Sequence, residues 1–204
     1  MALTADAAVT IAELQQTVTS YKVEPQYAAT IAALRKVWQE EVERIYASRN
    51  NPIAQAEVID VVNSFTEASD VMVCAAGSLP GDLHKLWQTR QPGGYHVEYG
   101  YSCMGYEIAG GLGVKMAHPS REVYVLVGDG SYLMMSQEIV TSLQEGYKLN
   151  IILLDNHGFS SIGGLSRSCG NEGLGTEYRY RQDGKYRGDP IQVDFEKNAA
   201  SLGA

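Results

Sequence analysis

Glycine is absent from the first 76 residues, and all 21 glycines of the 204-residue chain lie between Gly77 and Gly203. The front therefore lacks the tight turns and close backbone approaches that glycine permits, and the body must be rich in them. The glycines follow no three-residue period and 45% of the chain is hydrophobic, which excludes both collagen and a disordered low-complexity segment. Cysteine is scarce. Cys74, Cys103 and Cys169 are widely spaced and odd in number, so neither a disulfide framework nor a zinc ribbon is indicated, and reduced thiols are expected. Basic residues are outnumbered 16 to 24, giving a net charge of −8 and a pI near 5.0, which argues against a nucleic-acid backbone as partner. The opening MALTADAAVTIAELQQ lacks the basic region and apolar core of an export signal, and no apolar run approaches the ~20 residues of a membrane span. The expectation is a cytoplasmic chain without membrane or nucleic-acid partners.

What is present divides in two. From Pro25 to Ser48, apolar Tyr27, Ile31, Leu34, Trp38, Val42 and Ile45 recur at steps of three or four, which predicts a helix. A second helix is expected from Ile53 to about Phe65, and an earlier one over about Ala5 to Val18. Residues 1–50 read as a helical lead-in from a preceding domain, and residues 51–204 as the domain proper. There the apolar runs are short and closed by glycine or a polar turn: Val71–Ala76, Val123–Val127, Ile151–Leu154, a weaker Ile191–Val193 and a short His96–Tyr99. Helical stretches lie between them, about Gly105 to Met116 and about Ser136 to Glu145, with a last one at Phe195–Leu202. Strands alternating with helices predict an α/β fold, a parallel sheet with helices on both faces. Ligands of such sheets sit beyond the strand C-termini, where these glycines fall.

Two strand ends carry the chemistry. Gly128-Asp129-Gly130-Ser131 follows VYVLV, and glycines at a strand–helix junction let backbone N–H groups approach a phosphate. Asp129 points a carboxylate at the same place, so a divalent cation is needed between the like charges. The dinucleotide fingerprint fails, because Leu133 stands where a third glycine is required. Asn156 lies 27 residues on, at the end of the next strand, and supplies a neutral oxygen; the Gly158 carbonyl supplies another. One carboxylate, one amide, one carbonyl and two phosphate oxygens suit Mg²⁺ better than Ca²⁺, which takes more carboxylates.

Gly128-Asp129-Gly130 through Asp155-Asn156 closely resembles the signature of thiamine-diphosphate-dependent enzymes of the acetolactate synthase and pyruvate decarboxylase type. The resemblance implies that Asp129, Asn156 and the Gly158 carbonyl bind Mg²⁺, which in turn holds the diphosphate of thiamine diphosphate. Asp155 stands where that family usually has a first asparagine, but the ligand matches the second position. Ser102-Cys103-Met104-Gly105 resembles the family's stretch ahead of the metal site. It implies Met104 as the prop under the bent cofactor and the Ser102 carbonyl as acceptor for the pyrimidine amino group. Gly77, Ser78 and Leu79 resemble a second phosphate loop, with Gly130, Ser131, His157, Gly158 and Phe159 lining the same diphosphate.

Within that family, HVEYGYSCMGYEIAGGLG, the 155–159 turn and the run Gly164–Arg181 are similar to the trihydroxycyclohexanedione hydrolases of myo-inositol breakdown. That implies hydrolysis of a ring C–C bond of a polyhydroxylated cyclic diketone to 5-deoxyglucuronate, by a homodimer or homotetramer. The pyrimidine-binding domain, with the glutamate that activates the cofactor, is not in these residues; it is expected from a missing N-terminal part or a second chain. No motif assigns that role to Glu98, Glu107 or Glu138. The sheet is expected to be incomplete at the C-terminus, and this chain alone to be inactive. The glycine-rich 157–190 segment, with Arg167, Arg179, Arg181 and Arg187, reads as a long loop, either a mobile lid over the substrate or a subunit contact. Two other readings stay open: another thiamine-diphosphate lyase or synthase, or a split-enzyme subunit, and a non-catalytic cofactor-binding module.

Overall fold

The computed structural model describes residues 4–173 and 175–204. It divides into two compact units, Met1–Ala47 and Ser48–Ala204. In the first, α1 (Ala7–Thr17) is capped by Asp6, whose carboxylate accepts the Val9 N–H at 3.0 Å. The second helix, α2 (Pro25–Tyr46), starts on Pro25, whose missing N–H costs nothing in a first turn. The stripe Tyr27, Ile31, Leu34 and Trp38 forms on it as the spacing predicts and is exposed. Among the described residues no helix is long and apolar enough to cross a membrane.

The second unit enters through a turn and α3 (Gln55–Phe65). Glu57 in its first turn reaches back to the Ala54 N–H at 3.2 Å and to the Asn50 N–H and side-chain amide at 2.8 and 2.9 Å. Then follow β1 (Val71–Cys74), α4 (Ser78–Leu86), β2 (Tyr95–Val97), α5 (Tyr106–Ala117), β3 (Val123–Gly128), α6 (Asp129–Met135), α7 (Glu138–Gln144) and β4 (Asn150–Leu154). These strands form one wholly parallel sheet in the order β2-β1-β3-β4. Side chains alternate across it. Val71, Val73, Val123, Val125 and Val127 face α5–α7 with Ile108, Tyr132 and Ile139. Met72 and Leu126, equally buried, supply the opposite face, where Ile59, Val62, Leu79, Leu83 and Leu86 of α3 and α4 complete a second layer. Each fully buried aliphatic side chain contributes about 1.5–3 kcal/mol, so the central β1–β3 pair anchors the unit. Gly111 brings α5 close to the sheet, since a Cβ there would overlap the Val125 side chain.

The α/β class, the parallel sheet and its helical faces match the sequence expectation. Four details differ. α4 begins at the strand end, with Pro80 and Gly81 inside its first turn, where proline is tolerated. The helix after Gly128 is continuous with the strand, because Asp129 is already helical. Ile191–Val193 is not a strand of the sheet; β6 (Lys185–Pro190) ends before it and pairs antiparallel with β5 (Arg179–Gln182). The 157–190 stretch is not one loop but α8 (Ser160–Ser168) followed by this hairpin, and α9 (Phe195–Ser201) comes last. Phe195 meets the Tyr132 ring edge-on at 5.7 Å, and the Tyr132 hydroxyl donates to Asn198 Oδ1 at 2.9 Å.

Candidate functional site

Parallel pairing of β3 with β4 sets Gly128 opposite Leu154, so the next residues, Asp129 and Asp155, leave the sheet side by side. Asp155 is used locally: its Oδ1 accepts the His157 N–H at 2.9 Å, closing the turn that carries Asn156. His157 takes a left-handed φ of 61° and Gly158 a φ of 139°. This turn swings the Gly158 N–H onto Asp129 Oδ2 at 2.6 Å and leaves the Asn156 N–H at 3.4 Å from Oδ1.

The turn is braced from outside. Phe159 N–H donates to the Thr176 carbonyl at 2.8 Å, and Tyr178 N–H to the His157 carbonyl at 3.2 Å. A Cβ on Gly158 would run into the Thr176 carbonyl oxygen and the Glu177 backbone, so this strap fits glycine alone.

Asp129 is fully buried. Burial pushes its carboxyl above the usual aspartate range, the charge of Asp155 adds to that, and the Asn156 and Gly158 N–H groups only partly offset it. Among the described residues it forms no ion pair. Beside it the Tyr178 hydroxyl is buried without a hydrogen-bond partner. Burial first, and the Asp129 charge second, push that phenol up to about 12. A buried anion without a counter-charge is costly unless something polar completes it.

Above Asp129 opens a cavity of about 240 Å³. Four chain segments line it: Gly77, Ser78 and Leu79 from the end of β1, Ser102 and Met104 ahead of α5, Gly130 and Ser131 of α6, and Asn156, Gly158 and Phe159 beyond β4. All the residues expected at the cofactor therefore converge there, with one exception. His157, its Nδ1 3.3 Å from Asp155 Oδ1, lines a neighbouring cavity of about 280 Å³ with Arg167, Glu177 and Arg179. Ser102 sits at a left-handed φ of 54°, which presents its loop to the cavity rim.

Sequence reasoning missed Ser160, Ser161, Ile162 and Leu165 of α8, which close one wall. The sequence did carry a signal for the hairpin behind them, since Asp183-Gly184 between two short runs is the mark of a two-residue turn. It also left Glu107 without a place, although that side chain is buried in the first turn of α5. Three of the four arginines assigned to a lid are spent within the hairpin, and Arg167 of α8 lies 3.7 Å from Glu177. Arg179 holds Glu177 at 2.6 Å and the Gly188 carbonyl at 3.2 Å. Arg181 bonds the Gly184 carbonyl and lies over the Tyr186 ring at 4.4 Å, and Arg187 pairs with Asp183 at 2.9 Å.

The Asp129 carboxylate, which has no counter-charge among the described residues, the Asn156 side-chain amide and the Gly158 carbonyl are the groups here that could hold a divalent cation. Among the described residues there is no cluster of three or more His, Cys, Asp or Glu groups that could hold a metal ion.

Residues 75–204 match the family described as "Thiamine pyrophosphate enzyme, C-terminal TPP binding domain". The chain is 42% identical over 204 residues to a 3D-(3,5/4)-trihydroxycyclohexane-1,2-dione hydrolase of Bacillus cereus, covering 87% of this chain and 32% of that protein. It is 42% identical over 223 residues to the 3D-(3,5/4)-trihydroxycyclohexane-1,2-dione hydrolase of Clostridium perfringens (strain 13 / Type A), covering 97% and 35%. The chain thus spans about a third of the length of these relatives. In fold it is similar to the thiamine diphosphate-dependent 4-hydroxybenzoylformate decarboxylase of Rhodococcus jostii RHA1, with a TM-score of 0.60 at 20% identity over 74% of this chain and 26% of that one.

Proposed function

Since the chain belongs to the thiamine pyrophosphate enzymes, with residues 75–204 as their C-terminal TPP-binding domain, we propose that the cavity over Asp129 binds the diphosphate of thiamine diphosphate through Mg²⁺. The observation that carries this reading is the Asp129 carboxylate: fully buried, met by two backbone N–H groups, and without a cation among the described residues. Asp129, the Asn156 amide and the Gly158 carbonyl would hold the metal. Ser78, Gly130, Ser131 and the backbone of Gly77, Leu79 and Phe159 would meet the diphosphate, and His157 would support the turn from its outer side. Met104 would prop the cofactor from below, with the Ser102 carbonyl receiving its amino group.

When bound, thiamine diphosphate supplies a carbon nucleophile and electron sink for cleaving a bond beside a carbonyl. This chain's part is to bind, orient and screen. The 42% identity to the named hydrolases supports a ring diketone as the substrate class, specifically trihydroxycyclohexane-1,2-dione in myo-inositol catabolism. Water adds across the C–C bond between the two carbonyl carbons, leaving one as a carboxylic acid and the other as an aldehyde, which is the composition of 5-deoxyglucuronate. The activating glutamate would come from a pyrimidine-binding domain elsewhere in the complete enzyme, working in the cytoplasm as a homodimer or homotetramer.

Calorimetric titration of the complete enzyme with thiamine diphosphate tests the reading. Binding is expected with Mg²⁺, lost with a chelator, and at least 100-fold weaker in Asp129→Ala. Equal affinity in that variant overturns the metal assignment, and failure to turn over the cyclic diketone overturns the substrate assignment alone.

A further inference from the structure

Ser102 and Met104 line the cavity from a segment that burial does not fix, since Tyr101, Ser102 and Cys103 are exposed. Ser102 also holds a left-handed φ of 54°, a conformation that a residue with a side chain keeps only where its surroundings impose it. The constraint comes from Glu98. Its Oε1 accepts the Tyr101 N–H at 3.0 Å, and its Oε2 accepts the Cys103 N–H at 2.6 Å. These are the N–H groups of the residues on either side of Ser102. One carboxylate thus brackets that residue, and its charge strengthens both bonds.

The second bond has a particular consequence. The Cys103 N–H and the Ser102 carbonyl belong to the same planar trans peptide, in which the two groups point in opposite directions. Holding the N–H on Glu98 therefore turns the Ser102 carbonyl away from Glu98 and fixes its direction. Glu98 is itself anchored to the sheet. β2 pairs with β1 as far as Val97 opposite Cys74, and the Glu98 N–H extends the ladder to the Cys74 carbonyl at 3.4 Å. Cys74 is fully buried, and three residues on, Gly77 opens another stretch that lines the cavity. The two N–H groups, Cys103 first, hold the Glu98 carboxyl below the usual glutamate range, so it is charged at neutral pH.

We propose that Glu98 is a positioning residue of this site: by holding the Tyr101 and Cys103 N–H groups it fixes the Ser102 peptide and aims the Ser102 carbonyl at the bound ligand. It touches no reacting atom, and it rests on the thiamine diphosphate reading for the identity of the group that the carbonyl meets.

Hydrogen exchange in the ligand-free complete enzyme tests the bracket without activity. In Glu98→Ala, exchange at the 101 and 103 amides is expected to quicken at least tenfold, with β3 unchanged. Unchanged exchange at both amides, or an equal rise in β3, overturns the proposal. Should Glu98→Ala not fold, Glu98→Gln keeps a single acceptor oxygen and is expected to quicken exchange at one of the two amides; no change at either overturns the bracket. Calorimetry with two probes separates aiming from general support. Magnesium thiamine diphosphate carries the amino group, whereas magnesium pyrophosphate carries only the phosphate end. The first is expected to bind at least tenfold more weakly to Glu98→Ala, and by a smaller factor to Glu98→Gln, while the second stays within twofold of wild type in both. Wild-type affinity for the first probe, or an equal loss for both probes, overturns the positioning role. A wild-type enzyme that binds no thiamine diphosphate, while Glu98→Ala still quickens exchange at 101 and 103, supports the bracket and overturns the cofactor reading instead.

Discussion

Two buried carboxylates of the second unit have opposite fates. At the entry to α3, Glu57 accepts from the Asn50 N–H and amide, the Ala54 N–H and the Ser48 hydroxyl, between 2.8 and 3.3 Å. Those bonds, led by the Asn50 N–H, hold its carboxyl below the usual glutamate range. At the rim of the sheet, Asp129 is buried more deeply and has one short N–H contact and one long one. Burial holds its carboxyl above the usual range. The first charge is fully satisfied by the fold and is structural. The second has no counter-charge among the described residues, which supports the proposed ligand site.

Substitutions that separate the two fates test that contrast. The largest expected effect is on binding: Asp129→Ala costs at least 100-fold in Mg²⁺-dependent thiamine diphosphate affinity by calorimetry, whereas Glu57→Gln leaves that affinity within twofold. Next is Gly158→Ala, where a Cβ meets the 176–177 strap and φ is 139°. Overpacking and strain there together cost about 3 kcal/mol, a fall in Tm of about 6–12 °C. Glu57→Gln is expected to lower the Tm by several degrees through loss of the turn before α3, read in the ligand-free protein.

The smallest effect is in pH dependence, and its sign differs between the two groups. Glu57 has a lowered folded pKa, so its stability is present above the unfolded glutamate value and lost as pH falls through the folded one. Asp129 has a raised folded pKa, so the ligand-free protein loses stability as pH climbs from the unfolded aspartate value through the folded one. Thermal unfolding between pH 4 and 7 should therefore show a shallower loss on raising pH in Asp129→Asn. In Glu57→Gln the gain in stability as pH rises toward the unfolded glutamate value should be smaller. An Asp129→Asn profile parallel to wild type would contradict the assigned shift.

Much of this was legible because the sheet is buried on both faces. Val71–Cys74 and Val123–Gly128 read as strands from short apolar runs ended by polar or glycine residues. The 27-residue spacing of Asp129 and Asn156 became adjacency through a single parallel pairing. α4 was hidden because Pro80 and Gly81 read as breakers although they fall in a first turn. The hairpin was hidden by its polarity, since Arg179–Gln182 and Lys185–Pro190 lack an apolar face, and only Asp183-Gly184 marks the turn. Glu107 was illegible for a different reason. A glutamate in a helix reads as a solvated residue, whereas this one is buried in the first turn of α5.

Asp129 is proposed to hold the cation that carries the diphosphate. Unfolding of wild type and Asp129→Asn, each with and without magnesium thiamine diphosphate, tests it most directly. Without ligand the variant should be the more stable by a few degrees at pH 7, because it removes a buried unpaired charge. With ligand at a hundredfold excess over Kd the wild type should gain about 2.7 kcal/mol and overtake it, while the variant gains little. Equal stabilisation of both proteins by the ligand would contradict the account.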